Sequence, residues 1–195
     1  MTAHALFGFL TYAFVNAFTP GPGNILALNT ATVYGWKGGK PLFIGIFAGY
    51  FAVQTICGLF VFGLGEILPS ILGVLKYVGA AYIVWLAVHI AASKPQADGS
   101  SETAAFSRGF LLQFVNVKIY FFGITALTGF ITPWSSNLAP LMAAEFFIAG
   151  IGCIATLTWI GSGVALQRVY QAHYRPINFV LAATLIVCAA SMLLS

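Results

Sequence analysis

Six long apolar segments are the feature that most restricts what this chain can fold into. They cover residues 6–31, 42–64, 71–92, 109–131, 138–166 and 177–194. A helix needs about 20 predominantly apolar residues to cross a bilayer, and the segments meet or approach that length. Only 6% of the 195 residues are charged, whereas soluble domains contain about 25%. The sequence therefore predicts an all-α membrane protein, with about six transmembrane helices in a single domain spanning 1–195.

One polar stretch, residues 93–108, separates two halves with three apolar segments each. It contains Lys94, Asp98, Glu102 and Arg108 around a Gly-Ser-Ser run. We interpret it as a solvent-exposed loop between a first half, 1–92, and a second half, 109–195.

The basic residues predict the orientation of the chain in the membrane. They follow the first, third and fifth segments, near Lys37, Lys94 and Arg168. The opposite loops contain Glu66 and no Lys or Arg, because Lys76 lies within the third segment. Cytoplasmic loops carry the excess of Lys and Arg, so these three loops are predicted to be cytoplasmic and both termini periplasmic. Because no basic face with interleaved aromatic residues is present, a lipid bilayer is the predicted partner and nucleic acid is not.

The first apolar segment is interrupted by a run of helix-breaking residues. The run consists of Pro20, Gly21, Pro22, Gly23 and Asn24. Proline has no N–H and glycine loosens the backbone, so the first helix is predicted to break at membrane depth. Unpaired backbone groups cannot face lipid and must meet protein, water or a ligand.

The two ends of such a break offer complementary charges. The carbonyls that end the first half suit an ammonium group, and the N–H groups that begin the second half suit a carboxylate. A free amino acid carries both groups, and discontinuous helices bind such substrates in transporters. The alternative is a simple kink whose backbone groups are satisfied within the protein.

A second polar group lies in the fourth segment, where Gln113 and Asn116 precede Lys118. A lysine near the centre of a span costs about 2.5–3.5 kcal/mol on insertion scales unless it has a partner. A substrate carboxylate, backbone carbonyls at a break and Glu145 of the fifth segment are candidate partners. The alternative is that Lys118 extends to one membrane surface.

These two groups occupy matching places in the two halves. Residues 14–16 and 114–116 both read Phe-Val-Asn. With three spans per half, the second half would be inverted relative to the first, and matching interruptions then indicate a central binding site. The sequence predicts a 3+3 inverted repeat with an interrupted first helix.

Glu145 is a second candidate for a functional charge. It could carry protons that couple transport to a gradient, pair with Lys118, or reach the membrane interface. The three cysteines, Cys57, Cys153 and Cys188, show no metal-ligand or CxxC spacing. No nucleotide-binding motif is present, so we predict no cofactor, no metal and no enzymatic activity.

The chain resembles the LysE/RhtB superfamily of bacterial amino-acid exporters over nearly its whole length. The family's Pro-Gly-Pro-Asn is represented by residues 20–24, with Gly23 where the first Asn usually stands. Its Asn-Pro-Lys is represented by residues 116–118, with Val117 in place of the proline. Residues 24–28, 79–87 and 113–119 resemble the cysteine/O-acetylserine exporter branch.

The resemblance implies a secondary transporter of the bacterial inner membrane that exports cysteine and O-acetylserine from the cytoplasm. The residues themselves indicate a small zwitterionic substrate and do not select cysteine. An exporter of homoserine, threonine or leucine is the alternative within the family, and a membrane enzyme or a scaffold lies outside it. Six spans are few for a substrate path, so a homodimer is also expected.

Overall fold

A computed structural model describes residues 2–63, 68–94 and 103–194. All regular structure in these ranges is helical. The helices are α1 (Ala3–Phe18), α2 (Pro22–Gly63), α3 (Leu68–Ala91), α4 (Phe106–Val115), α5 (Val117–Ala126) and α6 (Leu138–Leu194), with a π-helical turn at Leu127–Ile131 after α5. The predicted all-α class is confirmed.

Two of these helices are too long to cross a bilayer once. Helix α2 has 42 residues and α6 has 57 residues, whereas about 20 residues span the hydrocarbon core. Each contains one residue with non-helical backbone angles. These are Gly35, with φ 64° and ψ −173°, and His173, with φ −131° and ψ 37°. Gly35 occupies a positive φ that favours glycine, and each of these two residues divides its helix into two helical segments.

The helices match the apolar segments found in the sequence. By length and hydropathy, α2 and α6 qualify as membrane-crossing helices, and α4 with α5 and the π-turn qualifies as a third, bent span. Helix α1 together with the start of α2 forms the first segment, and α3 forms the third. Division of α2 and α6 then yields six segments in the predicted order.

The loops that carry the basic residues meet at one end of the bundle. The Ala104 N–H donates to the Gly38 carbonyl at 2.9 Å, and the Asn178 side chain donates to the Ser93 carbonyl at 2.7 Å. A Cβ on Gly35 would lie 3.3 Å from the amide nitrogen of Gln167. The three loops near Lys37, Lys94 and Arg168 therefore share one end, as the charge pattern requires.

Close packing of α2 against α4 holds the centre of the bundle. A Cβ on Gly49 would lie 2.8 Å from the Phe110 carbonyl oxygen, and one on Gly45 would collide with the backbone at Phe106. Small residues at this spacing allow two membrane helices to approach closely. Large apolar side chains such as Phe7, Tyr77 and Phe179 are exposed, as expected for surfaces in contact with lipid.

Some expectations concern residues outside the described ranges. Glu66, Asp98, Glu102 and most of the central polar loop lie there, as does the side chain of Lys76. The inverted relation of the two halves remains a prediction, although both interruptions occur in the helices where the sequence places them.

Candidate functional site

The first break lies where the proline-glycine run predicts it. Helix α1 ends at Phe18 and α2 begins at Pro22. Thr19 adopts an extended conformation with φ −62° and ψ 144°, and its N–H and hydroxyl both donate to the Val15 carbonyl, at 3.1 Å and 2.7 Å. The hydroxyl also lies 3.0 Å from the carbonyl oxygen of Asn16. Thr19 thus satisfies one carbonyl that Pro20 leaves without its helical donor.

Side chains beyond the break satisfy the next carbonyls. Asn24 donates to the Ala17 carbonyl at 2.9 Å and is itself held by the Thr156 hydroxyl, which donates to its Oδ1 at 3.0 Å. The Trp159 indole N–H donates to the Phe18 carbonyl at 3.3 Å. The end of α1 is therefore fixed to the fifth segment by hydrogen bonds inside the protein.

The Lys118 ammonium occupies the last acceptors of this break. Its Nζ donates to the Thr19 carbonyl at 3.0 Å and to the Thr19 hydroxyl at 3.3 Å, with the Pro20 carbonyl at 3.5 Å. Of the partners predicted for Lys118, this conformation shows the backbone carbonyls at a break. Gly21 makes room for the lysine, since a Cβ there would lie 3.1 Å from Nζ.

The second break lies in the fourth segment at Asn116. Helices α4 and α5 meet there at an angle of 57°. Asn116 has φ −84° and ψ 84°, and its carbonyl accepts the Ile119 N–H at 3.1 Å. The bend forms although the residue after Asn116 is Val117 and not a proline.

Two amide oxygens at this second break have no hydrogen-bond partner. Gln113 and Asn116 are buried, and their side-chain oxygens are both unpaired among the described residues. The Gln113 amide nitrogen donates to the Gly109 carbonyl at 3.3 Å. Gly23 lies opposite, where a Cβ would come within 3.3 Å of this amide. Buried polar atoms without partners are uncommon and indicate a site that a ligand or water completes.

The two breaks enclose adjoining cavities. A small inner cavity of about 20 Å³ has room for about one water. A larger cavity of about 400 Å³ falls within the range of about 300–1,000 Å³ typical of small-molecule sites. The residues shared by both are Asn16, Asn116, Lys118 and Phe122. Every predicted site residue of the two segments therefore lines at least one of these cavities. The inner cavity is also lined by Gly21, Gly23, Asn24 and Gln113, and the larger one by Pro20 and Pro22.

Glu145 does not join that group. Its carboxyl oxygens have no hydrogen-bond partner among the described residues, and it is 1% exposed. Lys118 donates elsewhere, so the two charges form no pair in this conformation, and the Glu145 side chain is buried inside the protein.

Sequence reasoning missed Thr156, Trp159 and Tyr50. Thr156 and Tyr50 line the inner cavity. A signal was present, because Glu145, Thr156 and Trp159 are spaced so that they share one face of a helix. A polar stripe on an otherwise apolar segment is the pattern that would have identified them.

Comparison with known proteins agrees with this architecture. A family model described as LysE type translocator matches residues 14–195. The chain belongs to the LysE type translocator family. A protein of Escherichia coli O157:H7 named cysteine/O-acetylserine efflux protein is 40% identical over 190 residues, which cover 97% of each chain. A Shigella sonnei protein of the same name is 39% identical with the same coverage. No solved structure matches the chain.

Proposed function

We propose that this LysE type translocator is a secondary transporter that exports small neutral amino acids and related metabolites, with cysteine and O-acetylserine as its substrates. The observation that carries the proposal is that an ammonium group and two amide oxygens without partners among the described residues lie around the same two cavities. A zwitterionic amino acid presents the complementary carboxylate and ammonium. The names of the relatives supply the two substrates.

The geometry favours a particular placement of the substrate. Lys118 Nζ is a cation beside both cavities, and it can turn from the Thr19 carbonyl toward a carboxylate. The orphaned N–H groups at the start of α2, near Gly23, also favour a carboxylate. The substrate ammonium is then left to the unpartnered oxygens of Gln113 and Asn116.

This placement revises the role of the first break. The carbonyls at the end of α1 suit an ammonium in principle, but Asn24, Trp159 and Lys118 already occupy them. The amide oxygens of the second break therefore serve as the ammonium acceptors in our proposal. The side chain of the substrate extends into the larger cavity, among Ile83, Phe121 and Cys188.

The orientation follows from the charge pattern together with the fold. We propose that the end where the loops near Lys37, Lys94 and Arg168 meet faces the cytoplasm of a bacterial inner membrane. Both termini then lie on the periplasmic side. The larger cavity involves Tyr12 of α1 and Ser191 near the end of α6, so the proposed orientation would place it in the periplasmic half. A homodimer is part of the proposal only as an expectation from the number of spans.

Transport by purified protein in liposomes tests the substrate assignment. Vesicles loaded with labelled O-acetylserine or cysteine should lose label faster than empty-lipid vesicles, and excess unlabelled substrate outside should accelerate the loss by exchange. Homoserine, threonine and leucine serve as comparison substrates. Flux of one of these three alone would support an exporter but overturn the assignment of cysteine and O-acetylserine as substrates. If no tested amino acid crossed faster than in protein-free vesicles, the proposal of transport would be overturned.

A further inference from the structure

A second polar cluster lies apart from the substrate cavities, between α2, α5 and α6. It consists of Gln54 and Glu145, each 1% exposed, packed against Gly123. Four side-chain atoms in it have no hydrogen-bond partner among the described residues, namely both oxygens of Glu145 and both the oxygen and nitrogen of Gln54. Neither residue lines the two cavities of the substrate site.

Three oxygens in this cluster converge on one point. The position that a Cβ on Gly123 would occupy lies 2.8 Å from Gln54 Oε1, 3.0 Å from Glu145 Oε1 and 3.1 Å from Glu145 Oε2. Only glycine leaves that space open. The Glu145 carboxyl and the Gln54 amide are therefore close neighbours, and they pack against the backbone of α5 at Gly123.

Among the residues that the structure describes, no cation pairs with the carboxyl group. Lys118 of α5, the helix that carries Gly123, donates to the first break instead. The titratable side chains whose electrostatic surroundings include Glu145 are Tyr50 and Cys57 of α2, and neither carries a positive charge. An ionised carboxylate without a partner is very costly in a low-dielectric interior, so this conformation favours the neutral acid.

Helix α5 connects the cluster to the substrate site. Lys118 and Phe122 line both cavities, and Gly123, the next residue, contacts Glu145. Tyr50 makes a second connection, since it lines the inner cavity and lies within electrostatic range of Glu145. A shift of α5 on substrate binding would therefore change the surroundings of the carboxyl group.

We propose that Glu145 is the proton-carrying group of this transporter, with the Gln54 amide as its polar neighbour and Gly123 as the contact that links it to the substrate site. The inference rests on the proposed export function. In each cycle, Glu145 takes up one proton on the periplasmic side and releases it on the cytoplasmic side, while one amino acid moves outward. The chemistry is only binding and release of H⁺ at a carboxyl oxygen, so no other reactant is required.

Net transport and exchange separate the coupling step from substrate binding. Proteoliposomes with an interior more acidic than the bath should accumulate labelled O-acetylserine as protons leave. Exchange of labelled for unlabelled substrate at equal pH needs no net proton movement. Glu145→Gln keeps the size of the side chain and removes the titrating group, so it should lose the pH-driven accumulation and keep the exchange.

A glycine substitution provides a second variant that leaves the carboxyl group in place. Gly123→Ala should displace the Gln54 amide and the Glu145 carboxyl group. The ratio of pH-driven accumulation to the rate of exchange should then be lower than in the parent. Gly150→Ala is its matched control, because a Cβ there meets nothing within 4 Å. It should behave as the parent does.

Each outcome decides between the two proposals. Accumulation that survives Glu145→Gln, or that is independent of the pH gradient in the parent, would overturn the coupling role and leave the exporter intact. Loss of exchange together with accumulation in Glu145→Gln would assign the residue to structure and also overturn the coupling role. Absence of any flux in the parent would overturn the export function and with it this inference.

Discussion

The two helix breaks of this protein are built in opposite ways. At the first, between α1 and α2, two prolines interrupt the helix, and its free carbonyls are satisfied by Asn24 of the same segment and by Trp159 and Lys118 of distant segments. At the second, at Asn116, no proline is present, yet the helices bend by 57°, and two buried amide oxygens have no partner among the described residues. The first break is thus closed by the protein, and the second is left incomplete.

We infer from this difference that the two breaks have different roles. A buried polar atom without a partner costs about 1–3 kcal/mol, and in this site it is tolerated where a ligand can complete it. The first break holds a fixed backbone geometry and positions Lys118. The second supplies the acceptors that change partners during transport.

Lys118 connects the two breaks, so its loss should have the largest effect. Lys118→Met keeps the length of the side chain and removes the ammonium that would bind the substrate carboxylate. Loss of one charge-assisted contact of about 3 kcal/mol corresponds to roughly a hundredfold lower apparent affinity. Concentration-dependent uptake of O-acetylserine into proteoliposomes measures it.

A lysine at the membrane surface is the control for that experiment. Lys37 is exposed, and Lys37→Met should leave transport unchanged. If Lys118→Met transported with the affinity of the parent, Lys118 would belong to the scaffold of the first break and no ammonium would remain for the substrate carboxylate.

Asn24 should matter for stability, because it ties the end of α1 to the fifth segment. Asn24→Ala removes its bonds to the Ala17 carbonyl and to Thr156, at 2.9 Å and 3.0 Å. Hydrogen bonds between membrane helices contribute about 0.6–2 kcal/mol each, so the variant should lose about 2 kcal/mol and unfold at a lower temperature in detergent. Thr156→Val, which removes only one of the bonds, should show a smaller decrease. An unchanged melting temperature combined with lost transport would instead make Asn24 a substrate contact and remove the contrast between the breaks.

Gln113 should show the reverse behaviour. Gln113→Leu removes an acceptor that has no partner in the part of the chain that the structure describes, so the folded state loses only the bond to the Gly109 carbonyl. We expect thermal stability close to that of the parent, and an apparent substrate affinity lower by about tenfold, or about 1.4 kcal/mol. A decrease in stability as large as that of Asn24→Ala, with unaltered affinity, would contradict the proposed role of the second break.

The sequence predicted the breaks better than their internal contacts. Helix-breaking residues act locally, so residues 20–24 identified the first interruption, and a lysine at mid-span identified the second. The partners of the released carbonyls could not be predicted in the same way. Thr156 lies 132 positions from Asn24, and which helix faces fold together is decided by packing of the whole bundle. The burial of Glu145 is a result of the same packing.

Substitution of Val117 should have the smallest effect of all, and it tests what causes the bend at Asn116. It is the first residue of α5, a position where the N–H has no acceptor within the helix and proline is well accepted. Asn116, with φ −84° and ψ 84°, is already outside the α region that proline disfavours in its predecessor. Val117→Pro should therefore change stability by less than about 1 kcal/mol and leave transport close to that of the parent, measured by thermal unfolding and by uptake side by side.

Proline one turn later, in Tyr120→Pro, is the control that should disrupt α5, because a helix interior does not tolerate it. If Val117→Pro were as damaging as that control, the bend would depend on the Val117 side chain, which is fully buried, rather than on the backbone geometry at Asn116. A neutral result would mean that the second break is held by packing around it, so that its unpartnered oxygens are kept in place without a proline.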